Sequence, residues 1–120
     1  MFDRIDHIQL AMPPGKESTA REFYAGVLGM VESEKPEALR ARGGAWFRSG
    51  DVAIHLGVER DFRPARKAHP ALRTRNYETL IDRLKRAGYD VTPDPILIDG
   101  CERCYVHDPF GNRIELIANR

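Results

Sequence analysis

The chain has 120 residues, of which 42% are hydrophobic and 31% charged, a composition typical of one compact domain with a real core. Its 19 Lys and Arg residues nearly balance its 18 Asp and Glu residues, so nothing in the charge favours nucleic acid or an anionic membrane as a partner. No apolar run approaches the roughly 20 residues of a spanning helix, and the first residues lack a signal-peptide core, so we expect a cytoplasmic protein.

The first half of the chain predicts one strand, one helix and three further strands. Residues 5–12 alternate between an aliphatic and a polar face, which is typical of a half-buried strand. Ser18 or Thr19 could cap a helix that runs to about Leu28. The rest of this half consists of predicted strands at 30–33, 45–48 and 52–58 and a polar loop at 34–43.

The second half repeats this order after a charged connector at 59–67. Its predicted elements are a strand at 69–74, a helix at 76–87, a strand at 89–92, a Pro-containing loop at 93–100, and a hairpin of strands 102–106 and 112–118. Each half therefore reads β-α-β-β-β. One such unit buries little apolar surface, so we predict an α+β fold in which two modules, about 1–60 and 67–120, pack as one domain spanning 1–120.

Side chains that bind metals recur at equivalent points of the two halves. His7 and His69 stand at the first strand of each half, and His55 and Glu115 stand on the last. All four lie on the polar faces of their strands. One such histidine alone would more often be an ordinary surface or core residue. Imidazole and carboxylate together suit Zn, Ni, Mn, Fe(II) or Co, so we predict a site for a divalent metal ion of unknown identity.

The two cysteines form a C-x-x-C motif that we interpret as structural or incidental. Cys101 and Cys104 are three residues apart at the start of a predicted strand, which places their side chains on opposite faces. A zinc site of this type needs two more ligands at matching spacing, and a thioredoxin-like motif belongs at a helix N-terminus.

Several runs of the chain resemble the vicinal-oxygen-chelate superfamily, the glyoxalase/bleomycin-resistance protein/extradiol dioxygenase group. The matching runs are Asp6-His7-Ile8-Gln9-Leu10, Phe23-Tyr24 followed by Leu28-Gly29-Met30, His69-Pro70-Ala71-Leu72, and Tyr105-Val106-His107-Asp108-Pro109-Phe110-Gly111-Asn112-Arg113-Ile114-Glu115-Leu116. The resemblance covers nearly the whole chain. It implies a curled, barrel-like mixed sheet with the helices outside and a divalent metal within. It says less about the reaction, because many chemistries share this fold.

The resemblance places metal ligands of the first, fifth and eighth strands at His7, His69 and Glu115. Glyoxalase I has a fourth ligand on the fourth strand, usually a glutamate that also serves as its base. That position is His55 here, which weakens a glyoxalase I assignment. His55 could be a weaker fourth ligand, or it could face the substrate and act as a general base.

The resemblance also implies roles for two residues near the ligands. Gln9 occupies the position of a catalytic threonine in the fosfomycin transferases, which argues against that activity. Gln9 could orient a substrate oxygen or simply line the site. Tyr105 stands where the family often has a site tyrosine, so its hydroxyl could donate to a bound oxygen, although its ring could equally pack in the core.

Further residues on the same strands are candidates for substrate contact. Arg73 and Arg103 could bind a carboxylate or phosphate, although such a residue is more often a solvated charge. One of Trp46 and Phe47 must face the site, because adjacent residues of a strand point to opposite sides.

These observations favour a small metal-dependent enzyme, a lyase, isomerase or dioxygenase, whose substrate chelates the metal through vicinal oxygens. The alternative is a metal-free protein that binds a ligand or antibiotic, as bleomycin-resistance proteins do. A third class, a purely structural subunit, would bind neither metal nor ligand. The resemblance further implies a homodimer whose sites are shared, with His7 and His55 from one chain and His69 and Glu115 from the other.

Overall fold

The computed structural model describes residues 1–119 and consists of two compact units, one ending at Arg63 and the other beginning at Pro64. Each unit contains a four-stranded mixed sheet whose elements follow one another as β-α-β-β-β. The predicted α+β class with two such modules is therefore confirmed. Arg120, the last residue of the predicted second module, lies outside the described residues. Within residues 1–119, no helix has the length and apolar character needed to cross a membrane.

The first unit is built from four strands and two helices. They are β1 (Ile8–Met12), α1 (Glu17–Arg21, continued by a π-helical segment Glu22–Val27), β2 (Val31–Ser33), α2 (Glu37–Arg40), β3 (Ala45–Ser49) and β4 (Val52–Val58). The strand order is β1-β4-β3-β2, with β1 parallel to β4 and the other pairs antiparallel. The inward sides of the sheet and of the first helix form a core that includes Phe23, Tyr24, Phe47, Ile54 and Leu56.

Two details of this unit differ from the sequence prediction. The proposed Ser18 or Thr19 cap is wrong, because the helix begins at Glu17 and has no side-chain cap. Its start is instead tied to the sheet, since the Glu17 carboxylate accepts a hydrogen bond from the backbone N–H of Gly44 at 2.8 Å. The predicted loop at 34–43 contains the short helix α2, which follows Pro36, a residue suited to a helix start.

The second unit has the same plan with one helix. Its elements are β5 (Ala71–Thr74), α3 (Tyr77–Arg86), β6 (Thr92–Ile98), β7 (Cys101–His107) and β8 (Arg113–Ala118), in the sheet order β5-β8-β7-β6. The prediction of a strand at 89–92 and a loop at 93–100 is wrong, because Thr92–Ile98 is the strand. Prolines at 93 and 95 are tolerated there because β6 lies at the sheet edge, and its register shifts between Asp94 and Ile98.

The two sheets repeat the same register, which defines equivalent positions in the two units. The central residue of each is on the last strand, β4 or β8, and it has one neighbour on the parallel strand and one on the antiparallel strand. The flanking pairs are Gln9 and Trp46 around His55, and Ala71 and Tyr105 around Glu115. His7 and His69 each stand two residues before the parallel neighbour.

The β7–β8 turn holds the central position of the second unit in register. The carboxylate of Asp108 is buried and accepts hydrogen bonds from the backbone N–H groups of Phe110 (2.9 Å) and Asn112 (2.8 Å) and from the Asn112 side chain (2.9 Å). Gly111 supplies a left-handed backbone, with φ of 94°. This turn places Tyr105 opposite Glu115.

Candidate functional site

In the first unit, three side-chain rings lie in a row across neighbouring strands. His7 stacks on His55 with ring centroids 4.0 Å apart and planes at 15°, and His55 stacks on Trp46 at 3.9 Å and 4°. Trp46 is thus the member of the Trp46–Phe47 pair that faces the site. Phe47 is 1% exposed and stacks on Tyr24 in the core.

A cavity of about 390 Å³ adjoins this stack. Besides the three rings, its lining includes Asp6, Gln9, Ser33, Leu39 and Arg48. The Gln9 side chain lies across Gly57 of β4, since a Cβ built on Gly57 would stand 2.5 Å from Gln9 Nε2. A bare backbone at position 57 therefore leaves room for the Gln9 amide at the wall of the cavity.

The orientation of His7 is set by its neighbour Asp6. The Nδ1 atom of His7 lies 2.8 Å from Oδ2 of Asp6, and because a carboxylate only accepts, Nδ1 carries the proton. This hydrogen bond also lowers the pKa of the Asp6 carboxyl group. The Nε2 atom of His7 is left with its lone pair, an arrangement that commonly supports a metal-binding histidine.

His55 is held by ring stacking alone. Its imidazole makes no hydrogen bond with any residue in the described part of the chain. Partial burial lowers the pKa of His55, and electrostatic interaction with His7 lowers it further. His55 is therefore neutral at pH 7 and has a lone pair that can take a proton or a metal ion.

In the second unit, His69 and Glu115 meet directly. The Nδ1 atom of His69 lies 2.7 Å from the Lys67 carbonyl oxygen, which only accepts, so Nδ1 carries the proton. Nε2 of the same ring lies 3.0 Å from Oε1 of Glu115, whose side chain is 6% exposed. A lone pair at Nε2 and a carboxylate oxygen attract each other only through a shared cation. That cation is either a second proton on the ring or a metal ion.

The other oxygen of Glu115 is engaged by Arg103, whose Nη1 donates to Oε2 at 3.3 Å. Arg103 also donates to the Tyr105 hydroxyl oxygen at 2.6 Å and pairs with Asp94 at 2.9 Å. Arg73, the other candidate for anion binding, pairs with Asp99 at 3.3 Å. Both guanidinium groups therefore already have partners within the chain, and of the two only Arg103 is largely buried.

Tyr105 is oriented by neighbours on all sides. The Arg113 guanidinium lies 4.0 Å from its ring centroid, and the His69 ring meets it edge-on at 5.6 Å. Its half-buried ring shares the sheet face of Glu115. Tyr105 therefore lies beside both His69 and Glu115.

Of the two cysteines, Cys101 accepts a weak hydrogen bond at its sulfur from Arg73 Nη1 at 3.8 Å. Cys104 is fully buried and Cys101 half-buried, and both are free thiols. Burial raises the pKa of the Cys104 thiol, so it stays protonated.

In the second unit, the His69 and Glu115 donors are suited to a metal ion as a pair. Among the described residues, no group of three or more His, Cys, Asp or Glu side chains is arranged to hold a metal ion. Ligand bonds of about 2.0–2.2 Å at angles of 90–110° place two donor atoms roughly 2.9–3.4 Å apart. The 3.0 Å between His69 Nε2 and Glu115 Oε1 falls in that range.

Sequence analysis missed the groups that orient these donors. Asp6 could have been found, because it directly precedes His7. Asp94 was hidden by the wrong loop prediction for 93–100. The Lys67 carbonyl belongs to the backbone and has no signal in the residue pattern, and the Arg113 contact with Tyr105 depends on the register of β7 and β8.

The fold and this set of donors define a two-module α+β protein with His and Glu side chains at repeat-equivalent positions. Residues 4–116 match the family model of the Glyoxalase/Bleomycin resistance protein/Dioxygenase superfamily, and the chain belongs to that superfamily. The predicted resemblance is therefore confirmed.

Solved structures agree with this assignment. A glyoxalase family protein from Bacillus anthracis is 45% identical, with a TM-score of 0.94 over 100% of this chain and 98% of the other. The fosfomycin resistance protein FosX from Listeria monocytogenes is 16% identical (TM-score 0.77; 100% and 96% covered). A glyoxalase/dioxygenase from Nostoc punctiforme is 20% identical (TM-score 0.75; 98% and 92% covered). The last two show the fold alone. A search of the curated proteins finds no match.

Proposed function

We propose that this protein is a metal-dependent enzyme in which His7, His69 and Glu115 hold one divalent cation for a small substrate with vicinal oxygens. When bound, the ion would act as a Lewis acid that polarises a carbonyl, diol or epoxide oxygen of the substrate. The reaction is a lyase, isomerase or dioxygenase step. A substrate screen with Zn, Ni, Mn, Fe(II) and Co in turn would separate these.

One observation carries the proposal. In both units the first-strand histidine has its Nδ1 proton engaged by an oxygen, from Asp6 in one and from Lys67 in the other. With Nδ1 engaged in this way, Nε2 is the nitrogen that each histidine can offer to a metal ion, and Nε2 of His69 already faces the Glu115 carboxylate. Two fixed imidazoles and one carboxylate are a common ligand set for a catalytic metal.

The other site residues would act on the substrate. His55, neutral and without a hydrogen bond, would serve as a general base or as a weaker fourth ligand. The Gln9 amide, at the cavity wall, would orient a substrate oxygen. The Tyr105 hydroxyl accepts from Arg103 and donates to Asp94 Oδ2 at 3.4 Å, so a bound oxygen would take its proton in place of this long hydrogen bond.

Metal titration of the purified protein tests the proposal. We expect the native protein to bind about one divalent ion per chain by calorimetry and elemental analysis, with release of protons because Nε2 and Glu115 exchange a proton for the ion. His7→Ala, His69→Ala and Glu115→Ala should each abolish stoichiometric binding, whereas Glu59→Ala, at an exposed carboxylate, should not. A native protein that binds none of the five metals would refute the proposal.

A second candidate function is a metal-free binding protein. The aromatic stack beside a cavity of about 390 Å³ favours it, because an indole and two imidazoles offer flat surfaces to a planar ligand. In that case, added metals would leave the thermal midpoint unchanged, and Trp46→Ala would weaken ligand binding while His7→Ala and Glu115→Ala would not.

The proposal extends to a homodimer with shared centres. Each unit brings together two of the four candidate donors, so a centre of three or four ligands must combine both units. We place His7 and His55 of one copy with His69 and Glu115 of a second copy. A sedimentation mass of a single chain, 13.6 kDa, at micromolar concentration would contradict this arrangement.

Complementation sharpens this test. Chains carrying His7→Ala are unfolded and refolded together with chains carrying Glu115→Ala. If centres are shared, each mixed dimer has one intact centre, and random pairing restores about a quarter of the native metal capacity. If each centre lies within one chain, mixing restores none.

A further inference from the structure

We infer that Arg103 is a positioning residue that fixes the Glu115 carboxylate as a one-oxygen ligand. The inference rests on the proposed function. It differs from both sequence-based interpretations of Arg103, as a substrate-binding residue and as a solvated charge, since the guanidinium holds a protein carboxylate.

All three nitrogens of the Arg103 guanidinium have partners inside the protein. Nε donates to the Ile96 carbonyl oxygen at 2.9 Å, Nη2 pairs with Asp94 at 2.9 Å, and Nη1 donates to the Tyr105 hydroxyl and to Glu115 Oε2. The side chain is 13% exposed. A rigid, planar fork with this many contacts cannot turn toward a substrate without breaking several hydrogen bonds.

The contact with Glu115 decides how that carboxylate can bind an ion. The terminal torsion of a glutamate is broad, so an unrestrained carboxylate rotates and can offer one oxygen or both. With Oε2 accepting from Arg103, only Oε1 is directed at His69 Nε2. The remaining contacts of Arg103 to β6 and to Tyr105 keep the guanidinium itself in place.

The repeat shows that the strand does not need an arginine at this point. Cys104 pairs with Leu116 in the second unit as Ala45 pairs with Leu56 in the first, so Gly44 occupies the position equivalent to Arg103. Gly44 directly precedes β3, and the four-stranded sheet of the first unit forms with glycine at that point. We therefore assign Arg103 to the orientation of Glu115 and not to the formation of the sheet.

Metal affinity of Arg103 variants tests the inference. Arg103→Met should weaken metal binding about 10–100-fold, the usual cost of losing a group that orients a ligand. Arg103→Lys keeps the charge but cannot reach all four acceptors with its single ammonium group, so it should weaken binding by about 10-fold and remain the usable variant if Arg103→Met does not fold. Arg73→Met, which breaks an exposed pair, is the matched control and should stay within about 2-fold of the native affinity.

The spectrum of the Co²⁺-loaded protein provides a readout that general destabilisation would not change. A carboxylate freed to bind through both oxygens raises the coordination number, so visible absorption per bound ion should fall in both Arg103 variants and not in Arg73→Met. Unchanged affinity and spectrum in the Arg103 variants would overturn this inference alone. A native protein without metal binding would overturn the proposed function and this inference together.

Discussion

The two units share a backbone plan and register, yet their centres carry opposite chemistry. In the first unit His55 lies between the rings of His7 and Trp46, beside a cavity. In the second, the equivalent Glu115 lies in a network of charged hydrogen bonds with His69 and Arg103. The repeated fold thus fixes where a side chain stands, and the residue type then decides whether that point offers a flat neutral surface or a charge.

The two units differ in the same way at the residue before Ala45 of β3 and the equivalent residue before Cys104 of β7. Gly44 has φ of 84°, and a Cβ placed there would stand 2.1 Å from the Leu56 carbonyl oxygen. Its equivalent, Arg103, carries the longest side chain of the second site. In the first unit, Gly44 allows two backbone segments to approach closely. In the second unit, Arg103 contacts side chains of the neighbouring strands, Asp94 on β6 and Glu115 on β8.

The largest expected effect comes from exchanging the two central residues for glutamine. Glu115→Gln removes the only charged donor of the proposed centre and should lower metal affinity by about 1,000-fold, more than the 10–100-fold cost of losing an outer partner. His55→Gln removes a neutral, weaker donor and should cost at most about 10-fold. Competition with a chromophoric chelator measures both. Equal losses of metal affinity would show that His55 and Glu115 contribute alike to metal binding. That result would contradict the difference in chemistry between the two units.

A second pair of variants tests the backbone role of Gly44. Gly44→Ala combines a left-handed backbone with a clash against the Leu56 carbonyl, so it should lower the free energy of unfolding by about 3 kcal/mol or more. Gly50→Ala has a similar φ, 57°, with open space around the added Cβ, so strain alone should cost about 1 kcal/mol. Urea denaturation gives both values. Similar losses would mean that the close approach at Gly44 contributes nothing beyond strain.

Sequence reasoning predicted the repeat, most strands and the family because each depends on a local pattern. Val52–Val58 alternates strictly and was predicted with its observed bounds. Thr92–Ile98 was misplaced, because its two prolines are typical of a loop, and only its edge position in the sheet makes them tolerable. Edge position is a property of the assembled sheet and not of the segment.

The same distinction between local sequence patterns and long-range contacts applies to the candidate site. His7, His55, His69 and Glu115 were found by alternation and repetition. The stack on Trp46, the partners of Arg103 and the helix start at Glu17 depend on contacts between residues far apart in the chain, which no local pattern encodes.

The hairpins of the two units give a smaller, thermodynamic contrast. Asp108→Ala removes a buried carboxylate that accepts three hydrogen bonds within the β7–β8 turn and should cost about 2–3 kcal/mol. Asp51→Ala, in the exposed β3–β4 turn, should stay within about 0.5 kcal/mol. Thermal unfolding followed by circular dichroism separates the two. A loss of 1 kcal/mol or more at Asp51 would show that the first hairpin also depends on its turn carboxylate.

The smallest effect tests the electrostatics of the aromatic stack in the metal-free protein. Burial and the electrostatic interaction with His7 both hold the pKa of His55 below its ordinary value, while Asp6 opposes them. His7→Gln should therefore raise the pKa of His55, and Asp6→Asn should lower it further. NMR titration of the imidazole C–H signals measures both shifts, and shifts of the same sign would contradict the assigned causes.

The same depressed pKa makes stability depend on pH. The unfolded chain binds a proton at position 55 more readily than the folded one, so this group destabilises the fold as pH falls below about 6.5. His55→Gln should flatten the acid side of the stability curve, because glutamine does not titrate. If His55→Gln left the pH 5–7 slope of unfolding free energy unchanged, burial within the stack would not be what depresses this imidazole.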